Sequence, residues 1–166
     1  MPDTPRTRTI QWSDPAAHVD AASRIGGLGM LEEVIAGRLP RPPIAELMDV
    51  RLVEAAVGRA VFEGTPAEYH GNPLGIIHGG YAAMMLDSAM GCAVHSHLAA
   101  GERYTTLELK VNFARAITTR TGPLRAVATT VHVGRTTAIA EARLVDGEDR
   151  LYAHATCTCL VIRADG

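Results

Sequence analysis

The run HGGYAAMMLDSAMGCAVHSHL, from His78 to Leu98, restricts this chain more than any other segment. It holds about 20 residues, so as a helix it is roughly 30 Å long. Its residues are apolar or small nearly all the way round. Such a helix has no face for water and must be wrapped on most sides by protein. The remainder of the chain has to supply the wrapping.

That remainder is patterned for strands. After Gly101 come four segments with a period of two, Tyr104 to Phe113, Leu124 to Val133, Thr136 to Val145 and Leu151 to Ile162. Turn signals separate them at Thr121-Gly122-Pro123, Gly134 and Asp146-Gly147. Ahead of the helix, Val50, Leu52, Glu54 and Ala56 alternate with Arg51, Val53, Ala55 and Val57, predicting one long strand that continues to about Phe62. A Gly/Pro/Asn-rich loop, Glu63 to Ile77, joins it to the helix. A helix that must be buried, beside long strands that must bury one face, has an economical solution: an antiparallel sheet of five to six strands curls round it. The expected class is α+β.

Upstream, residues 1–12 are polar and read as a flexible tail, leaving 13–166 as a single domain. Ser13-Asp14-Pro15 signals a helix start ahead of Ala16, Ala17 and Val19. A second helical stretch, Leu28 to Arg38, spaces Leu28, Leu31, Ile35 and Leu39 by three and four; Pro40, Pro42 and Pro43 stop it. Gly27-Leu28-Gly29 is no dinucleotide loop, because no strand precedes it.

Composition removes several functional classes. With 166 residues, the chain can bury a core without metal or disulfide staples. A net charge of -2 and 4% aromatic residues argue against a nucleic-acid surface. No run is long and apolar enough to span a membrane, and MPDTPRTRTIQWSD lacks the apolar centre of a secretory signal, so the expectation is a cytoplasmic protein. Cys92, Cys157 and Cys159 read as reduced core thiols. His95 and His97 diverge on a helix and the cysteines lack a second pair, so no metal is expected. His70 and His132 carry no assigned role. Ser88 has no G-x-S-x-G elbow and is not a serine nucleophile.

The carboxylate of Asp87, amid Met84, Met85, Leu86 and Met90, demands an explanation, since an unpaired buried charge costs several kcal/mol. Either a cation such as Arg115 neutralises it, or it is a working carboxylate at a subunit interface; its surroundings favour the second. His78-Gly79-Gly80 opens the helix, where bare amides at the positive end of the dipole would stabilise an oxyanion, although a tight turn also needs glycine. Gly79 and Asp87 lie eight residues apart, roughly 12 Å along one helix. One subunit therefore cannot bring both to the same carbonyl. Two antiparallel copies across a two-fold axis can, and Ala83, Gly91 and Ala93 are small enough for close approach or for packing under the chain's own sheet.

Together, N-P-L-G-I-I-H-G-G-Y-A-A-M-M-L-D, the strand L-E-L-K-V-N-F-A-R-A-I and the segment V-G-R-T-T-A-I-A-E-A-R resemble the hotdog-fold thioesterases of the phenylacetate-degradation (PaaI-like) family, from about Leu28 to Ile162. The resemblance implies an acyl-CoA thioesterase for aryl or medium-chain acyl groups, with no cofactor beyond the coenzyme A of the substrate. It implies Asp87 as nucleophile or general base, Gly79 as amide donor to the thioester carbonyl, Asn72 as orienter of water or substrate, and His78 on the carbonyl side. Thr106 is implied as a water ligand, and Gly80, Gly134, Arg135 and Thr136 as substrate contacts. A homodimer is required by the geometry and a homotetramer is expected. Two departures stand out: Ala116 follows Arg115 where the family often has proline, and Gly91 stands where some relatives carry a hydroxyl. A hydratase on the same scaffold and a non-catalytic acyl-CoA-binding module are the alternatives; the first lacks its H-F-P-G kind of loop, the second an attached DNA-binding segment.

Overall fold

In the computed structural model, which describes residues 5–164, a curved sheet closes round one long helix. In chain order the elements are α1 (Ala16–Arg24), α2 (Gly27–Ile35), α3 (Pro43–Met48), β1 (Val50–Ala56) and β2 (Arg59–Gly64), then a 3-10 turn at Glu68–His70 and α4 (Gly79–His95). They continue as β3 (Arg103–Phe113), β4 (Leu124–Val133), β5 (Thr137–Asp146) and β6 (Leu151–Ile162). The six strands form one antiparallel sheet in the order β1-β2-β4-β5-β6-β3. This is the hotdog arrangement, with α4 as the filling.

Alanine makes the wrapping tight. Ala60, Ala126, Ala128, Ala138, Ala140, Ala153 and Ala155 are all fully buried on the sheet, and they face Met85, Leu86, Ala89, Met90 and Ala93 of α4, also fully buried. Small side chains on the sheet let its backbone approach the helix, and the long methionine and leucine side chains of α4 fill the gap. Each such large side chain contributes roughly 1.5–3 kcal/mol through burial.

The single long strand expected over residues 48–62 is a hairpin, β1 and β2. Ala56 pairs with Arg59 across a two-residue turn, Val57-Gly58, and Gly58 takes φ of +74°. The two-residue turn by itself inverts the parity, so that Ala55 pairs with Ala60, but a bulge between Leu52 and Glu54 restores it, so that Leu52 pairs with Phe62; Val50, Leu52, Ala60 and Phe62 are all buried and the even-numbered pattern shows no break. The Gly58 amide is tied by the Ser96 hydroxyl at 2.8 Å, which anchors the turn to the end of α4. The helix expected to run to Arg38 and stop at the prolines ends earlier, at Ile35, where Gly37 with φ of +71° turns the chain; the prolines instead start α3, with Pro43 in the first helical turn, where its missing N–H costs nothing.

The N-terminal helices are fastened to the end of α4 and the turn that follows it, where the Gly101 amide donates to the Ala22 carbonyl at 2.8 Å. The Gly27 amide donates to the Leu98 carbonyl at 2.8 Å, and a Cβ at residue 27 would lie 1.8 Å from the His95 carbonyl oxygen. Backbone touches backbone there. The first four residues of the expected tail lie outside the described residues; within 5–12, Arg8 donates to the Leu47 and Glu46 carbonyls at 2.7 and 3.1 Å and stacks 4.0 Å above the Tyr69 ring. Cys157 and Cys159 share the inner face of β6, both buried, with sulfurs 3.9 Å apart and unbridged.

At the β5–β6 turn, Asp146 Oδ1 accepts the Glu148 and Arg150 amides, each at 3.0 Å, while Oδ2 accepts Arg150 Nε at 2.7 Å and the Tyr152 hydroxyl at 3.2 Å. Burial alone would raise this carboxyl, but the donors, Arg150 foremost, outweigh it and hold the pKa at about 2. Because the folded value lies below the unfolded one, the stability it confers is complete above about pH 4 and is lost as pH falls toward 2. Thermal melts should therefore show a smaller drop in Tm between pH 5 and 2 for Asp146→Asn than for wild type. Gly27→Ala should lower the unfolding free energy by about 1–3 kcal/mol in urea titrations, the range for overpacking a tight contact.

Candidate active site

Along α4, Gly80 is exposed, and Ala83, Met84, Asp87 and Ser88 are only half-buried. Their spacing of three and four places them on one stripe. It is the strip that the chain's own sheet leaves open, and Asp87 sits midway along it. Asp87 Oδ1 accepts a hydrogen bond from Thr106 Oγ1 at 3.0 Å. Thr106 comes from β3, opposite Cys159 and next to a register irregularity between Thr106 and Glu108. Among the described residues no cation pairs with Asp87. Arg115, the candidate neutraliser, stands instead 5.7 Å from the Tyr152 ring. A carboxylate held by one neutral donor keeps an oxygen for a proton or an electrophile.

The start of α4 differs from expectation in one respect. His78 is the N-cap, and its Nδ1 accepts the Gly80 amide at 2.8 Å. Of the two amides expected to be bare, Gly80 is therefore occupied by its own cap, and the His78 ring is turned toward the helix. The Gly79 amide has no acceptor among the described residues. His78 is itself positioned by His70, whose carbonyl accepts the His78 amide at 2.8 Å and whose Nδ1 accepts the Ala67 amide at 3.0 Å. Burial pushes the buried His70 below its usual pKa, which suits a neutral acceptor nitrogen. Nothing in the local sequence marks His70 for this role.

Asn72 stands beside Gly79. Its Oδ1 accepts the Leu74 and Ile76 amides at 2.9 and 3.3 Å, closing the loop, so the amide nitrogen is the part left for other work. A cleft of about 250 Å³ at this end is lined by Asn72, Gly79, Ala82, Phe113, Arg115 and Ile117. Phe113 covers the glycine so closely that a Cβ at residue 79 would meet its Cζ at 3.1 Å. Sequence reasoning did not mark Phe113.

Asp87 and the 134–136 turn lie outside this cleft. The turn packs against the start of β3 and the end of β6: the Val161 amide donates to the Thr136 carbonyl at 2.9 Å. Arg163 donates to the Gly134 carbonyl at 2.8 Å and the Arg135 carbonyl at 3.1 Å, and pairs with Glu102 at 2.8 Å. Phe113, which covers Gly79, lies at the far end of β3, about 33 Å from its start. One chain thus brings together Asn72 with Gly79, and Asp87 with Thr106, but keeps the two pairs and the turn apart. Gly91 and Ala93 face inward, whereas Ala83 lies on the open stripe: Ala93 is in the core, and a Cβ at Gly91 would lie 2.5 Å from the Tyr104 hydroxyl. Gly91 is glycine because that hydroxyl occupies the space. Burial, then the Asp87 charge, pushes the enclosed Cys92 thiol up to about 12, far from a working nucleophile.

Residues 74–153, which span the helix start, Asp87, Thr106 and the 134–136 turn, match the model of the thioesterase superfamily. The chain belongs to that superfamily. This thioesterase is 24% identical over 118 residues to the 1,4-dihydroxy-2-naphthoyl-CoA hydrolase of Listeria monocytogenes, covering 71% of this chain and 94% of the other. Among solved structures it is similar to a phenylacetic acid degradation-related protein of Ralstonia eutropha (26% identity, TM-score 0.71, 78% of this chain and 98% of that one). It is also similar to a mutant of phenylacetic acid degradation protein PaaI from Thermus thermophilus (27% identity, TM-score 0.65, 74% and 100%). Thioester hydrolysis is accordingly the chemistry of this superfamily, and no helix among the described residues is long and apolar enough to cross a membrane.

Since the His78 ring caps this thioesterase's central helix, His78→Ala should cost about 0.5–2 kcal/mol of stability in urea unfolding, the usual value of an N-cap.

Proposed function

We propose that the chain hydrolyses an aryl- or medium-chain acyl-CoA to the free acid and coenzyme A, with Asp87 as general base or nucleophile. The observation that carries this reading is the Asp87 carboxylate itself: half-buried on the open stripe of α4, held at 3.0 Å by the neutral Thr106 hydroxyl and matched by no cation among the described residues. A neutral hydroxyl supports the carboxylate without cancelling its charge.

The second half of the reaction is electrophilic. The Gly79 amide, at the positive end of α4, is assigned to the thioester carbonyl, with the Asn72 amide group orienting water or substrate. The roughly 12 Å between Gly79 and Asp87 along α4 means that the two act on one carbonyl only from different copies of the chain. Strand β3 offers the means of pairing. It is an edge strand of 11 residues with an unpaired side, and Leu107 and Phe113 on it are 60% and 59% exposed. A two-fold axis beside β3 sets two α4 helices antiparallel and builds two equivalent sites, each with Asp87 and Thr106 from one copy and Gly79 and Asn72 from the other. The same operation carries the 134–136 turn of the Asp87 copy toward the partner's helix start. There Gly134, Arg135 and Thr136 are assigned to coenzyme A: Arg163 holds the Gly134 and Arg135 carbonyls inward, and the exposed Arg135 guanidinium suits a phosphate. Gly80, its amide engaged by His78, contributes backbone shape at the helix mouth, and pairing of two dimers completes a tetramer.

Asp87→Asn should lower acyl-CoA hydrolysis by about two to four decades with the fold retained. A complementation experiment tests the shared site. Asp87→Asn and Gly79→Val chains are each expected to be inactive; mixed after unfolding and refolded together, half the dimers are heterodimers and each has one intact site, so activity should return to about one quarter of wild type. Mixing without recovery places both groups in one chain and ends the shared-site assignment.

A further inference from the structure

Gly91 lies four residues beyond Asp87, the spacing at which two positions on a helix are neighbours, with Cβ atoms about 5–6 Å apart. It has no side chain, and the sheet fills the space: Tyr104 of β3 reaches across, so that a Cβ at residue 91 would stand 2.5 Å from the phenol oxygen. Tyr104 and Thr106 project from the same face of β3, two residues apart. One strand face therefore sets two hydroxyls against α4. That of Thr106 meets Asp87 at 3.0 Å, and that of Tyr104 stands one helical turn further on. The mechanism above uses the first and gives the second nothing to do.

Among the described residues the Tyr104 hydroxyl has no hydrogen-bond partner, and an enclosed hydroxyl left unpaired costs about 1–3 kcal/mol. The residue is half-buried and borders a chamber of about 400 Å³ beneath the N-terminal helices, so a small molecule can reach it. Burial foremost, then the neighbouring Cys92, Cys159 and Asp87, pushes the phenol far above its usual pKa. It therefore stays neutral and does not repel the carboxylate. The gap between the two groups suits one water. The phenol oxygen, in the place of a residue-91 side chain, makes no direct bond to Asp87, whereas two hydrogen bonds of about 2.8 Å through a water span roughly 4.5–5.5 Å. Thr106 occupies only Oδ1 of Asp87, which leaves Oδ2 to face that water.

We propose that Tyr104 is a further catalytic residue, whose hydroxyl holds the attacking water against Asp87. The water donates one O–H to Asp87 Oδ2 and the other to the phenol oxygen, which leaves a lone pair for the thioester carbon. Asp87 takes the first proton as the new C–O bond forms; the C–S bond then breaks, and the departing thiolate takes that proton from Asp87. Tyr104 is neutral before and after. The assignment rests on the thioesterase reading above and gives Asp87 the role of base.

The test is Tyr104→Phe in the full-length chain, which keeps the ring over Gly91 and removes only the oxygen. Against an acyl-CoA that the wild type hydrolyses, kcat should fall about ten- to a hundredfold with KM within about twofold, because a contact to the reacting water is lost and none to the bound substrate. Its Tm should be no lower than that of wild type, since the hydroxyl has no partner to lose; a purely structural tyrosine would give a lower Tm at unchanged kcat. In Tyr104→Leu the ring is gone as well, and adding Gly91→Ser returns a hydroxyl to the same place from the helix, so the double variant should hydrolyse several-fold faster than Tyr104→Leu alone. A single turnover in heavy-oxygen water should leave the Asp87 carboxylate unlabelled. Wild-type kcat in Tyr104→Phe, a loss confined to KM, a folded double variant no faster than Tyr104→Leu, or label in Asp87 each overturns the assignment and leaves the thioesterase standing. A wild type that hydrolyses no member of a broad acyl-CoA panel ends the thioesterase reading and this role with it.

Discussion

One requirement governs the molecule: α4 has no face that water would accept, and a single sheet has to enclose it. The alanine lining of β2, β4, β5 and β6 is the physical answer, because only small side chains let a sheet bend so closely around a helix filled with methionine and leucine. Enclosure is incomplete along one stripe, where Gly80, Ala83, Met84, Asp87 and Ser88 lie. The position of Asp87 follows from this geometry. It stands where the sheet cannot reach, supported from the side by the first available hydroxyl of β3.

Much of this was legible in the chain, for identifiable reasons. β4 and β6 begin and end where the alternation does, because Gly122-Pro123 and Asp146-Gly147 mark their boundaries with residues suited to turns. The β1–β2 hairpin was not legible, since the parity change made by its two-residue turn is cancelled by the bulge between Leu52 and Glu54, and Gly58 alone signals the reversal. α3 was hidden by its own prolines, which read as a stop although Pro43 is a start. Within the site, the carboxylate and the Gly79 amide were visible through the improbability of an aspartate and paired glycines in an apolar run. The engagement of the Gly80 amide was not, because capping by His78 depends on a ring rotation that spacing does not encode. Phe113 and His70 were invisible for a related reason: their partners are 34 and eight residues away, across the fold rather than along a pattern.

The division of labour within a chain is also physical. The loop end carries Asn72 and Gly79, the helix centre the Asp87 carboxylate, and the 134–136 turn Arg135. A straight helix and a twisted sheet keep these about a dozen to three dozen ångströms apart. On the proposed reading, a reaction that uses all three therefore draws on two copies of the chain. The resemblance seen in the sequence and the superfamily match agree on the scaffold, while the geometry accounts for how its parts can meet.

The contact of Gly27 with the end of α4 has a consequence for how such a protein diversifies. Because main chain abuts main chain at that point, the seat of the N-terminal helices tolerates no added atom. Leu31 beside it is itself packed into the core, whereas Met30 and Val34 are only half-buried and border the space beneath the helices. Substitution at those two positions can thus reshape the interior void under a fixed roof, while the frame that carries α4 stays where it is.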